Sequence, residues 1–246
     1  MLEKFERIKL GHFPTPIEHL KNISKYLGGP NIFVKRDDCT GLATGGNKTR
    51  KLEFLIPDAI KNKAELVVTV GAVQSNHARQ TAAACTLMGL KCLIILEQRI
   101  KDPPDAYMNS GNIFLDKLFG ADIKICPKNE NFLEYYEKVI EDLKSKGTNV
   151  YFIPGGGSNS IGTLGYVECL NEIIKENNKY DAFNSSDVAI SASGTVALEL
   201  SYFKVPTIVI YKVNPLTYLI AKLFIKFKYA NLINILRNKE IINLTT

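Results

Sequence analysis

Short β-rich apolar runs alternate with longer amphipathic stretches along this chain, and that alternation limits its fold more than any other feature. The strand expectations are 32–35, 66–70, 92–96, 122–126, 150–153, 188–191 and 207–211. The helix expectations are 48–61, 77–88, 109–119, 131–146, 160–175, 196–203 and 216–227. Strands separated by whole helices cannot pair as hairpins, so the pattern predicts an α/β fold with a mostly parallel sheet. Ligands of such sheets collect beyond the carboxyl ends of the strands. The strand-to-helix turns are therefore where chemistry is expected.

Composition narrows the classes. With 246 residues, 46% apolar and 23% charged, the chain can bury one large core or two modest ones, which excludes disorder and collagen. A net charge of +6 suits an anionic ligand or a membrane surface but is spread too thinly to indicate nucleic acid. Cys39, Cys85, Cys92, Cys126 and Cys169 contain no CxxC pair, so neither a disulfide scaffold nor a metal site is expected. The opening MLEKFERIKLGHFPTP lacks the apolar core of a signal peptide. No apolar run reaches the roughly 18 residues of a membrane span, and the expected location is cytoplasmic. The polar stretch KENNKYDAFNSSD (175–187) reads as a boundary, giving expected domains 1–180 and 181–246.

Four turns carry candidate chemistry. In TGLATGGNKTRKL (40–52), a flexible Gly45-Gly46 pair leads into a helix that begins with Lys48, Arg50 and Lys51. Cations in a first turn oppose the helix dipole, and an anion over the free N–H groups would relieve the conflict. The same field favours a neutral Lys48, the form that attacks a carbonyl. A solvated basic helix start is the plainer alternative. In TVGAVQSNHARQ (69–80), Gln74, Ser75, Asn76 and His77 form either a substrate cradle or an ordinary helix start with Ser75 or Asn76 as N-cap. In IPGGGSNSIGTLG (153–165), three glycines precede Ser158 and Asn159, which fits a backbone anion nest or a tight connection with a cap. In AISASGTVALEL (189–200), a strand and small residues again lead into a helix start.

PTPIEHL (14–20), VKRDDCTGLATGGNKTRKLEFL (34–55), VTVGAVQSNHARQTAAAC (68–85) and IPGGGSNSIGTLGYVE (153–168) together resemble one family. It is the family of pyridoxal-phosphate enzymes that holds D-cysteine desulfhydrase and 1-aminocyclopropane-1-carboxylate deaminase. The resemblance implies a tryptophan-synthase-β-like architecture (fold type II) and a homodimer. It implies that Lys48 carries pyridoxal 5'-phosphate and moves the substrate proton, that Lys51 lies near the phosphate, and that Asn76 meets the ring hydroxyl. Ser75 would assist at the substrate, beside Asn76, His77, Ser158 and Asn159. The implied reaction takes a small amino acid to a 2-oxo acid and ammonia.

The tail differs. SSDVAISASGTVALELSYFKVPTIVIYKVNPLTYLIAKLFIKFKYANLINIL (185–236) resembles an internal piece of lipid-A-disaccharide synthase, so the fold expectation is an incomplete fold type II region joined near 180 to a glycosyltransferase-type α/β fragment. Ser193, Gly194 and Thr195 then stand where a phosphate turn is needed. Residues 215–229, apolar with Lys222, Lys226 and Lys228, read as an interfacial helix giving weak membrane-surface contact. The competing functions are a non-catalytic or membrane-associating remnant and a glycosyltransferase fragment.

Overall fold

The computed structural model describes residues 2–176, 189–191, 207–210 and 244–245. The chain divides into two compact units, residues 1–18 with 35–172 and residues 19–34 with 173–246. Strands β1 (Ile17–His19) and β2 (Phe33–Lys35) flank helix α1 (Lys21–Leu27) in sequence. That helix ends on Gly28, whose φ of 62° supplies the left-handed turn of a helix C-terminus.

The first unit is built on four parallel strands: β3 (Leu66–Ala72), β4 (Lys91–Glu97), β5 (Asp122–Ile125) and β6 (Val150–Ile153). Their order across the sheet is β5-β4-β3-β6. Leu66 pairs with Lys91 on one side of β3 and with Val150 on the other. Both faces are covered, which is why β3 and β4 are nearly continuous apolar runs. Val67, Cys92, Ile94 and Leu96 face helices α2 (Lys48–Lys61), α3 (Asn76–Leu87) and α5 (Asn112–Leu118), where Leu52, Leu55, Ala78, Ala82 and Ile113 are buried. Val68, Val70, Leu93 and Ile95 face α6 (Phe132–Ser145), with Tyr136, Val139 and Ile140.

From β3 the chain steps outward to β4 and β5, then returns to the opposite side of β3 as β6. The strand order reverses between β3 and β6, and in open parallel sheets ligands gather at the carboxyl ends of strands at such a point. The turn after β3 leads into α3, and the turn after β6 leads into α7 (Ser160–Glu176). Helix α2 closes against this point. A Cβ at Gly165 of α7 would collide with the Arg50 carbonyl, so only glycine lets the two helices approach this closely.

Helix α2 holds Pro57 in its interior. Proline removes the N–H that would bond to the Glu53 carbonyl; the Ile8 N–H donates to that carbonyl instead, at 3.0 Å. The Glu53 carboxylate accepts from the Leu10 and Gly11 N–H groups and pairs with Arg7. The N-terminal segment is thus docked on α2.

The helix expected over 109–119 is two helices, α4 (Asp105–Asn109) and α5, broken at Ser110 and Gly111. Gly111 adopts φ 65°, and Gln74 fills the break, donating to the Tyr107 and Ser110 carbonyls and accepting from the Asn112 N–H. In the second unit, β7 (Ala189–Ser191), β8 (Thr207–Ile210) and β9 (Leu244–Thr245) form a parallel sheet in that order. The helices expected at 196–203 and 216–227, residues 193–195 and the 215–229 stretch lie outside the described residues. No helix among the described residues is long and apolar enough to cross a membrane.

Candidate active site

Lys48 is the first residue of α2, and no side chain of Asn47 caps that helix. The missing cap comes from α3. The Gln80 Oε1 accepts from the Thr49 N–H at 2.9 Å and from the Thr49 hydroxyl at 2.8 Å. Gly46, with φ 133°, passes so close to the Gln80 amide that a Cβ there would collide with it. Gly46 therefore lets this turn approach α3, while Gly45, with φ 81°, passes the Asp38 carbonyl.

The Lys48 ammonium donates to Asn47 Oδ1 at 2.8 Å. Lys51, one turn on, donates to Ser158 Oγ at 2.9 Å and lies over the Tyr166 ring, 5.6 Å from its centroid. Gly156 and Gly157, both with positive φ, lie against the Lys48 and Lys51 side chains, 3.6 Å from Lys48 Cε and 3.4 Å from Lys51 Cδ measured from an added Cβ. Burial lowers the Lys48 pKa below the ordinary lysine value. Burial, then the Lys48 charge, lowers that of Lys51. Neither lysine has an acidic partner among the described residues.

Arg50 points elsewhere. It is buried, forked onto Asp37 and Glu172, and donates to Thr15 Oγ1. Of the three cations expected together at the start of this helix, only Lys48 and Lys51 share the site. Residues three apart share a helix face, and Arg50 lies on another.

The start of α3 forms the other wall. Ser75 is its N-cap, and its hydroxyl accepts from the Ala78 N–H at 3.2 Å. Asn76 is exposed, and its Oδ1 accepts from Arg79 Nη1 and Asn112 Nδ2, each at 2.9 Å. His77 turns inward and is 4% exposed. Its Nε2 lies 2.8 Å from the Thr69 hydroxyl, which donates to the Ile153 carbonyl; that hydroxyl has a single proton, so His77 Nε2 is the donor to it. Its Nδ1 is buried without a hydrogen-bond partner among the described residues. Its pKa is pushed down to about 3 by burial first and then by the Lys48 and Lys51 charges. His77 is thus a neutral interior side chain between sheet and lysine pair.

Asn159 is also engaged, its Oδ1 accepting from the Gly162 N–H at 2.8 Å at the start of α7. Lys48, Lys51, Ser158 and the glycine turn come together, and Ser75 and Asn76 stand at the adjoining strand end. Ser193, Gly194 and Thr195 lie outside the described residues. Arg79, Gln80 and Asn112 hold the site together and had no signal in the sequence beyond their place in α3 or near Gln74.

Two cations without a counter-acid, beside a glycine turn after a strand, fit a ligand that carries both an anion and a carbonyl. A phosphorylated aldehyde meets both requirements. The chain belongs to the family of pyridoxal-phosphate dependent enzymes, which it matches over residues 8–208. Within that family it is 42% identical over 196 residues to the D-cysteine desulfhydrase of Klebsiella pneumoniae (strain 342), covering 80% of this chain and 60% of that protein. It is also 42% identical over 197 residues to the D-cysteine desulfhydrase of Serratia proteamaculans (strain 568), covering 80% and 59%. A crystal structure described as an ACC deaminase homologue superposes with a TM-score of 0.71 at 32% identity, over 99% of this chain and 74% of that one. The fold is α/β of the pyridoxal-phosphate fold type II class. The chain spans about three fifths of the length of the curated relatives it matches.

Proposed function

We propose that this chain binds pyridoxal 5'-phosphate at the Lys48 corner and acts as a lyase or deaminase on a small amino acid of the D-cysteine or 1-aminocyclopropane-1-carboxylate type. The carrying observation is the half-buried pair Lys48 and Lys51, both lowered in pKa and neither neutralised by an acid among the described residues. The bound cofactor supplies an electron sink for a carbanion at the substrate Cα. Lys48 attaches it and, once released, accepts and returns the Cα proton; a lysine with a lowered pKa suits that task near neutral pH. Lys51, which reaches Ser158 Oγ, would hold the phosphate with it. Asn76 would meet the ring hydroxyl. Ser75 remains the proposed substrate-side hydroxyl and changes partner from the Ala78 N–H to act.

The finer readings rest on sequence. We propose Ser193, Gly194 and Thr195 as a further phosphate turn. They follow β7 directly, and the family match runs to residue 208 and includes them. The lipid-A-disaccharide-synthase-like tail, the membrane contact through 215–229 and the homodimer are proposals of the same standing.

Titration with pyridoxal phosphate, followed by absorbance, tests the cofactor reading. The expected result is a lysine-linked cofactor band that Lys48→Ala abolishes. A band unchanged in Lys48→Ala, or no band in the intact chain, contradicts it.

A further inference from the structure

Arg79 is 6% exposed yet sits one helical turn from the exposed Asn76. Its guanidinium makes three hydrogen bonds to three different parts of the site. Nη1 donates to Asn76 Oδ1 at 2.9 Å and to Asn112 Oδ1, and Nη2 donates to the Gly45 carbonyl at 2.8 Å. A guanidinium can only donate, so it decides which end of each amide it meets. Asn76 must turn its oxygen toward Arg79. Asn112 Nδ2 reaches the same oxygen, which leaves the Asn76 amide nitrogen without a hydrogen-bond partner among the described residues. The Gly45 bond ties this arrangement to the turn immediately before Lys48.

We propose that Arg79 is a positioning residue, orienting the Asn76 amide so that its nitrogen is the group presented to the cofactor and fixing that amide relative to the Lys48 turn. The inference rests on the roles proposed above for Asn76 and Lys48. Asn112 is the second brace. Lysine at position 79 keeps the charge but has no planar fork, so it cannot meet both amides and the Gly45 carbonyl together.

The test uses the full chain, pyridoxal phosphate as probe and equilibrium dialysis as readout. Arg79→Lys is expected to weaken binding about tenfold, the size of one charge-assisted hydrogen bond, and to shift the absorbance of the bound cofactor. Asn76→Ala is expected to weaken binding similarly, and the double variant no more than either alone, because the two act as a unit. Asn112→Ala, which leaves the guanidinium in place, is expected to give a smaller loss and serves if Arg79→Lys fails to fold. Unchanged affinity and absorbance in Arg79→Lys, or losses that add in the double variant, overturn the proposal. A second readout needs no cofactor. The Asn76 side-chain amide should give a pair of proton resonances displaced from the positions of a free asparagine in the parent chain, and a pair moved toward those free positions in Arg79→Lys. Identical signals in the two proteins also overturn it. If the parent chain binds no pyridoxal phosphate, the cofactor reading falls, and the amide signal alone decides the role of Arg79.

Discussion

Helix α2 carries two kinds of cation within one turn. Arg50 is buried and meets two carboxylates and a threonine hydroxyl. Lys48 and Lys51 are half-buried and meet neutral oxygens and, for Lys51, the Tyr166 ring, with no acid among the described residues. The two faces differ in what they offer a ligand. The Arg50 face is electrostatically complete, so it holds the helix in place. The Lys48 face is left positive beside a glycine turn, and that imbalance is what an anionic ligand would neutralise. A charge that lacks a partner inside the protein marks where a partner from outside belongs.

The comparison breaks most readily at Arg50. Arg50→Met leaves Asp37 and Glu172 without their fork, and removing one member of a buried ion network costs about 3–5 kcal/mol. Urea unfolding should show a loss of that size; a loss under about 1 kcal/mol would show that the two faces do not differ.

A third charged group sharpens the point from the acidic side. Asp116 of α5 is fully buried, with no hydrogen-bond partner on either carboxylate oxygen among the described residues. Burial raises its pKa from 3.8 to about 7, opposed by the charge of Arg79. The folded chain therefore binds this proton more tightly than the unfolded one. Stability is full below about pH 4, falls as pH rises toward 7, and stays reduced above it. Asp116→Asn should be more stable than the parent at pH 8, on the order of 1–3 kcal/mol, and nearly equal to it only below about pH 4, where the parent carboxyl is protonated in both states. Equal stabilities at both pH values would contradict the burial argument.

The smallest expected effect lies on the open face. Lys51→Met removes a cation whose charged form the fold disfavours, so its unfolding free energy should change by less than about 1 kcal/mol. Its pyridoxal phosphate affinity should fall about tenfold or more, as expected for a lost charged contact to phosphate. The sign for the lysines is opposite to that of Asp116. Lowered pKa values mean that the unfolded chain binds these protons more tightly, so their contribution to stability grows as pH rises toward the ordinary lysine range. A large loss of stability in Lys51→Met with unchanged affinity would reverse the roles assigned to the two faces.

Much of this was legible in the sequence for a physical reason. The period of the apolar pattern marks each element of the main sheet, and expected bounds such as 48–61 and 150–153 agree with α2 and β6. Ser75 and Asn159 carried two readings each, and the structure gives both a cap bond. The break at Gly111 was hidden because it depends on Gln74, a residue distant in sequence. Arg79 and Gln80 were hidden likewise, since their meaning lies in contacts with Gly45 and Thr49 across the fold. Arg50 was grouped with Lys48 and Lys51 by proximity in sequence, although a helical projection separates them by more than a right angle.

Reductive trapping addresses the central claim most directly. The chain is incubated with pyridoxal phosphate, treated with borohydride, digested and mapped by mass spectrometry. A pyridoxyl group on Lys48, absent from every other lysine at equal cofactor, is the predicted result. Label on Lys51 or spread over surface lysines, with Lys48 unmodified, would contradict it.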